Sequence, residues 1–154
     1  MTARYLLDTN IISDAQKPQP NPRLAAWMEA RADEELFIAS IVLGEIWQGI
    51  VEKPTGRKKR DLLRWFASPT GPRSLFAGRI LPLDEAAALQ WAEFLAEGRR
   101  AGRPRSAMDM QIAAIAKVNG CTIVTRNVAH FAPVQGSVPL IDPTQAVAGA
   151  AEER

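Results

Sequence analysis

The chain of 154 residues contains one cysteine, Cys121, and one histidine, His130. A single cysteine allows neither an internal disulfide nor a cysteine metal cluster, so we expect a reducing, cytoplasmic environment. A single histidine excludes the zinc sites built on a histidine pair and argues against a Ser-His-Asp triad. Because Cys121 precedes the apolar residues 123–124, we interpret it as a small buried hydrophobe rather than a reactive thiol.

Long hydrophobic runs are also missing. No stretch approaches the roughly 20 apolar residues that span a bilayer, so we expect no membrane association. Asp8 interrupts the N-terminal apolar run too early for a signal peptide. No glycine-rich phosphate loop is present, which argues against a nucleoside-triphosphate enzyme. The length predicts one folded domain, residues 1–144, followed by a flexible polar tail, residues 145–154.

The composition is that of a globular protein, with 47% hydrophobic and 23% charged residues. The net charge is only +2, but basic residues cluster at positions 57–60 and again at 99–105. Such clusters can bind phosphate backbones or can simply be solvated helix faces, and the sequence leaves both interpretations open.

Short apolar runs alternate with helical patterns along the chain. The runs predict strands at residues 4–7, 36–39, 79–83, 122–125 and 138–141. Helices are predicted at residues 10–14, 23–32, 41–52, 57–67, 84–97 and 106–118, with Ser40 expected to cap the third of them. This alternation predicts an α/β fold in three layers, in which helices cover both faces of a mostly parallel central sheet.

Three carboxylates stand out against this background. Asp8 follows the first strand, Glu45 lies among apolar and glycine neighbours of a helix, and Asp109 lies in the first turn of another helix. Each has a structural alternative. Asp8 can cap the helix that follows it, and Ser106 with Asp109 can form a capping box. Glu45 can form an ion pair or face solvent. Ligands of parallel sheets bind beyond the carboxyl ends of the strands, where Asp8 and residues 125–127 are expected.

Metal-assisted phosphodiester cleavage is the chemistry that would use all three acids. Mg²⁺ prefers carboxylate oxygens and water in octahedral geometry. It lowers the pKa of a bound water and stabilises negative charge on the phosphate. The residues alone are therefore compatible with an Mg²⁺ site that uses Asp8, Glu45 and Asp109, and they leave the structural alternatives open.

Four segments of the chain form a set of motifs: residues 6–13 (LLDTNIIS), 40–50 (SIVLGEIWQGI), 107–116 (AMDMQIAAIA) and 124–131 (VTRNVAHF). Together they resemble the PIN-domain ribonucleases, in particular the toxins of VapBC- and FitAB-type toxin–antitoxin pairs. Their order and spacing extend the resemblance over essentially the whole chain, and four motifs in register are far more specific than any one of them.

The resemblance implies an endoribonuclease that cuts RNA with Mg²⁺, or with Mn²⁺ as a substitute, through a metal-activated water. Asp8, Glu45 and Asp109 would be the catalytic, metal-binding acids. Asn10, Thr125, Arg126 and Asn127 would position the substrate. It further implies a homodimer or higher oligomer and a small antitoxin that silences the enzyme, and it leaves the RNA target open.

One position departs from the family pattern, because His130 stands where an acid is usual. An imidazole can bind a metal, but Mg²⁺ prefers oxygen. His130 could be a spectator, a helper in proton transfer or a ligand of a weakly bound second metal. The departure also favours an alternative, a PIN-like binding or regulatory module with weakened catalysis. A phosphotransfer domain fits less well, since it would need a second acid close to Asp8 and a lysine near the phosphate, and Lys117 is far along its helix from Asp109.

Overall fold

The computed structural model describes residues 2–145 of the chain. Five strands and eight α-helices occur within these residues, in addition to two 3₁₀ turns at Asp33–Glu35 and Ala132–Val134. In chain order they are β1 (Tyr5–Leu7), α1 (Thr9–Ala15), α2 (Pro22–Glu29), β2 (Leu36–Ala39), α3 (Ser40–Val51), α4 (Arg57–Ala67), α5 (Pro72–Leu75), β3 (Ile80–Leu81), α6 (Glu85–Arg100), α7 (Ala107–Val118), β4 (Thr122–Val124), α8 (Val128–Phe131) and β5 (Leu140–Ile141). Of the predicted tail, only Gln145 lies within the described residues.

The strands form one sheet in the order β3-β2-β1-β4-β5. Every pairing in it is parallel, and the central strand β1 pairs Tyr5 with Leu36 of β2 and with Thr122 of β4. All four residues of β2 are buried. A strand buried on both faces requires a layer of helices on each side of the sheet. The predicted α/β fold with a mostly parallel sheet is therefore confirmed.

Side-chain caps fix several helix starts. Asn21 accepts hydrogen bonds from two backbone N–H groups of α2, and Asp84 and Ser106 each accept one at the start of α6 and α7. The prediction that Ser40 caps α3 is wrong. Ser40 is the first residue of that helix, and Ala39 holds the cap position without a side-chain bond. Strand β2 runs directly into α3, so no loop residue is left to provide a cap.

The core lies between the sheet and these helices. Its largest fully buried side chains include Phe94 of α6, Phe131 of α8 and Met110 of α7. Cys121 belongs to this core and is only 2% exposed. Burial raises the pKa of its thiol to about 11, which confirms the interpretation of Cys121 as a buried hydrophobe. Among the described residues, no helix is long and apolar enough to cross a membrane.

Gly71, between α4 and α5, provides a sharp test of this packing. A Cβ atom there would lie 2.6 Å from the carbonyl oxygen of Phe66 and would also contact the carbonyl oxygen of Trp65. Backbone atoms cannot move aside cheaply, so we expect Gly71→Ala to lower the free energy of unfolding by about 3 kcal/mol. Gly49 on α3 has open space around its Cβ position. Gly49→Ala should leave urea denaturation unchanged or stabilise the helix by up to about 1 kcal/mol.

Candidate active site

Asp8 lies at the carboxyl end of β1, in the middle of the sheet, and is 7% exposed. One carboxylate oxygen accepts a hydrogen bond from the backbone N–H of Thr9 at 2.8 Å, and the other accepts one from Thr125 Oγ1 at 2.8 Å. Burial raises the pKa of Asp8, and the nearby Asp109 carboxylate raises it further, while the two hydrogen bonds and His130 act in the opposite direction. Asp8 therefore caps α1 and still carries a charge that burial disfavours.

Glu45 lies on α3 and faces the same region. Its Oε1 atom is buried and has no hydrogen-bond partner, and the buried hydroxyl of Thr9 also lacks one. Burial raises the pKa of Glu45, the charges of Asp8 and Asp109 raise it further, and the neighbouring Thr9 hydroxyl lowers it. The ion pair offered as a structural alternative for Glu45 is absent within the described residues. An unpaired buried carboxylate oxygen is costly unless a cation meets it.

Asp109 reaches the same region from the first turn of α7. Its backbone N–H donates to Ser106 Oγ at 3.2 Å, so Ser106 does cap the helix as predicted. The Asp109 carboxylate is left free of that cap and lies 3.7 Å from His130 Nδ1. The His130 side chain is 58% exposed. The histidine at the usually acidic position thus lies beside one of the three acids, on the solvent side.

The three carboxylates share one region: Asp109 raises the pKa of Asp8, and Asp8 and Asp109 both raise the pKa of Glu45. Even so, within residues 2–145 no three carboxylate, histidine or cysteine side chains are close enough to form a ready-made metal cage. Hydrated Mg²⁺ keeps several waters and needs direct bonds to only one or two carboxylates. The all-oxygen donor set and the unpartnered Glu45 Oε1 atom therefore fit such an ion.

The predicted polar residues divide into two groups. Thr125 is fully buried, and its hydroxyl donates to Asp8 and accepts from the backbone N–H of Asn127 at 3.0 Å. Asn10 donates to Asp8 Oδ2 at 3.4 Å and accepts from the backbone N–H of Arg126 at 3.1 Å. Thr125 and Asn10 therefore orient Asp8. The side chains of Arg126 and Asn127 remain available at the rim.

Asp14 is a site residue that the sequence reasoning did not single out. It is 6% exposed and accepts hydrogen bonds from the backbone N–H of Asn21 at 3.0 Å and from the Arg126 guanidinium at 3.4 Å. Lys17 lies 3.5 Å from the same carboxylate. The i, i+3 spacing of Asp14 and Lys17 was the only local signal. Asp14 thus ties the loop after α1 to Arg126 at the rim of the site.

The Asp14 contacts predict a pH-dependent contribution to stability. The Asn21 hydrogen bond, followed by the charges of Lys17 and Arg126, lowers the pKa of Asp14. A lowered folded-state pKa contributes stability that is complete above the ordinary value near 3.8 and is lost as the pH falls through the folded-state value. We expect Asp14→Asn to cost about 1 kcal/mol at pH 7. The difference from wild type should vanish at the acid end of a pH series of urea denaturations, and a constant difference would contradict this role.

The two basic clusters differ in their surroundings. In the second cluster, Arg105 donates to the carbonyl oxygen of Phe94 at 2.9 Å and lies 3.4 Å from Glu97. Its side chain is mostly buried, so this residue is structural. In the first cluster, Lys59 donates to the carbonyl oxygen of Val51, whereas Lys58 lines a cavity that also contacts Glu45. The two clusters thus contain both structural residues and a residue placed beside the acids.

Comparison with known proteins agrees with this geometry. The PIN domain family matches residues 5–134. Toxin FitB of Neisseria gonorrhoeae is 37% identical over 126 residues, which cover 82% of this chain and 89% of that protein. VapC ribonuclease Y4jK of Sinorhizobium fredii is 30% identical over the same coverage.

Solved structures give the same result. The crystal structure of FitAcB from Neisseria gonorrhoeae superposes with a TM-score of 0.82 at 34% identity, covering 92% of this chain and 99% of that one. The structure of FitAB bound to the IR36 DNA fragment gives the same TM-score of 0.82 at 33% identity. These likenesses confirm the resemblance to toxins of the VapBC and FitAB type, and the chain belongs to the PIN-domain family.

Proposed function

We propose that the protein is an Mg²⁺-dependent endoribonuclease that acts as the toxin of a type II toxin–antitoxin pair. The observation that carries this proposal is the buried, unpartnered Oε1 atom of Glu45, which lies close enough to Asp8 and Asp109 for their charges to raise its pKa. Three carboxylates that repel one another in a partly buried cleft call for a cation. Relatives named VapC ribonuclease and tRNA(fMet)-specific endonuclease support RNA as the substrate class.

The chain's own residues would prepare the reaction as follows. Thr125 and the Thr9 backbone hold Asp8 in one orientation, and Glu45 and Asp109 complete an acidic wall around it. When bound, Mg²⁺ would supply a water of lowered pKa and would neutralise charge on the phosphate. Mn²⁺ should substitute, because it accepts the same oxygen ligands.

The rim would hold the RNA. Arg126 keeps 42% of its side chain exposed while Asp14 anchors the guanidinium, so it can meet a backbone phosphate without losing its position. Asn127 offers an amide group beside it, whereas Asn10 would act indirectly, because its amide is bonded to Asp8 and to the Arg126 backbone. Phosphate contacts of this kind fix the register of a nucleic acid rather than read its bases.

Calorimetric titration with Mg²⁺ and with Mn²⁺ separates the nuclease from the alternative, a PIN-like module with weakened catalysis. We expect saturable binding to the wild type and much weaker binding to Asp109→Asn. His130 favours the alternative, because it replaces an expected acid. Absence of any specific metal binding would favour the binding module. A second, weaker binding step that disappears in His130→Ala would assign His130 to a second metal.

The proposed toxin role requires a protein partner that silences the enzyme. The matched FitAcB and VapBC structures are of complexes, and we propose a small antitoxin protein as the partner of this chain, which would itself form a homodimer or higher oligomer. With cellular RNA as the substrate, the cytoplasm is the proposed compartment. Expression of this chain alone should arrest growth, and co-expression of a small antitoxin encoded next to it should restore growth. Unimpaired growth with abundant folded chain would contradict the toxin role.

A further inference from the structure

A cavity of about 360 Å³ lies between α1, α3 and α4 and is lined in part by Glu45. Thr9 and Glu45 belong both to this cavity and to the candidate active site, so the cavity borders that site. Its volume falls at the lower end of the range of about 300–1,000 Å³ that is typical of small-molecule sites. A group about the size of one nucleotide bound at the acids could therefore extend into it.

The lining of this cavity combines positive charge with polar groups. Lys17, Lys53 and Lys58 lie around it, and Ser13 of α1 and Gln16, which follows that helix, supply hydrogen-bonding groups. Lys17 is partly engaged by Asp14. A negatively charged group in the cavity would meet lysines from three different segments of the chain. Positive charge beside an acidic cluster suits a substrate that carries several phosphates. One phosphate would lie at the acids, and the lysines would neutralise a neighbouring one.

The floor of the cavity is apolar. Ile46, Ile50, Leu62 and Trp65 form it, and Trp65 keeps part of its ring accessible. Trp65 both packs against the hydrophobic core and contributes to the cavity wall. Unpaired bases of RNA stack on aromatic side chains of this kind, whatever their identity.

We propose, on the basis of the proposed ribonuclease function, that this cavity is the subsite for one unpaired nucleotide next to the cleaved phosphodiester. Trp65 would contact the base, Lys53 and Lys58 would bind its phosphate, and Ser13 and Gln16 would bind polar groups at the base edge. The subsite then favours single-stranded or looped RNA, because drawing a paired nucleotide out of its stack and into the cavity costs free energy.

Gly49 allows a steric test. It lines the cavity, and open space surrounds its Cβ position, so Gly49→Leu should project a side chain into the cavity from a position where the Cβ atom meets no obstacle. Gly44 on the same helix also has open space but borders a different groove, which makes Gly44→Leu the matched control. We expect Gly49→Leu to raise KM for cleavage of a single-stranded RNA about tenfold or more, with kcat at saturation within about twofold of wild type. Gly44→Leu should match wild type in both constants.

A charge test uses binding rather than cleavage. The dissociation constant for a short fluorescein-labelled single-stranded RNA is measured by anisotropy in EDTA at several salt concentrations. Lys58→Ala should reduce the slope of log Kd against log salt by about 0.7, the loss of one phosphate contact. Lys59→Ala removes the same charge from the same helix but outside the cavity, and its slope should equal that of wild type.

The outcomes distinguish this proposal from the function on which it rests. If the wild type neither cleaves nor binds RNA, the proposed function itself is wrong. If the wild type cleaves RNA and Gly49→Leu shows wild-type KM and Kd, or if Gly44→Leu is impaired equally, the nucleotide subsite is overturned. If Gly49→Leu retains RNA cleavage but no longer co-purifies with a protein partner, the cavity is a protein-docking site and the proposal is wrong.

Discussion

Asp8→Asn should abolish RNA cleavage, with a loss of about 10³-fold or more in kcat, while the protein stays folded. The substitution keeps the size of the side chain but removes the negative charge. It also exchanges one accepting oxygen for an NH₂ group, so one of the bonds from Thr9 and Thr125 is lost. Burial already disfavours the charged form of Asp8, so the neutral amide offsets that loss. Circular dichroism melting should therefore shift by only a few degrees.

Asp84→Asn is the matched control. Asp84 follows β3 closely, and its carboxylate caps the next helix by accepting from the Ala87 N–H at 2.9 Å, as Asp8 caps α1. It lies at the start of α6, near the edge strand of the sheet, away from Glu45 and Asp109. Asparagine also caps helices well, so Asp84→Asn should cleave RNA at the wild-type rate. Equal activity in Asp8→Asn and Asp84→Asn would show that Asp8 is only a helix cap.

Glu45→Gln should inactivate the enzyme but stabilise the fold at neutral pH, because the same carboxylate serves catalysis and destabilises the folded state. Burial, together with the Asp8 and Asp109 charges, raises the pKa of Glu45. A carboxyl group with a raised folded-state pKa favours folding at low pH and loses that contribution as the pH rises above its ordinary value near 4.5. Replacing the charge with a neutral amide removes the loss, so Tm should rise by a few degrees at pH 7 and stay close to the wild-type Tm at pH 4.

Addition of Mg²⁺ should reverse the order of the two Tm values at pH 7, so that the wild type becomes more stable than Glu45→Gln. Mg²⁺ stabilises the folded state that binds it, so it should raise the Tm of the wild type and have a much smaller effect on Glu45→Gln. Glu52→Gln, at the end of the same helix and bonded only to Gln48 at 2.8 Å, is the control and should respond to Mg²⁺ as the wild type does. A wild-type Mg²⁺ response in Glu45→Gln would remove Glu45 from the proposed metal site.

The strands were predictable from the sequence because apolar runs bounded by polar or turn residues can form little else. The run at residues 36–39 matches β2 residue for residue, and the acids at positions 8, 45 and 109 were visible as polar residues in apolar surroundings. The helix boundary at Ser40 was wrong, because the pattern does not show that β2 enters α3 without a loop.

Contacts between distant segments were not predictable from one sequence. The ion pair between Asp14 and Arg126 joins residues on α1 and after β4, and nothing local marks either as a partner of the other. The cavity beside Glu45 likewise depends on how α1, α3 and α4 pack. Periodicity and termination signals assign a residue to a helix or a strand. Which residues of distant segments contact one another depends on the folded geometry.

Cleavage of an end-labelled RNA in Mg²⁺, in excess EDTA and again after Mg²⁺ is restored tests the central claim most directly. The protein is purified free of any partner, and the Asp8→Asn protein prepared in the same way serves as the control for contaminating nucleases. We predict internal cleavage in Mg²⁺, none in EDTA, recovery when Mg²⁺ returns, and no cleavage by Asp8→Asn under any condition. Undiminished cleavage by the wild type in EDTA, or equal cleavage by Asp8→Asn, would contradict a metal-dependent ribonuclease built on these acids.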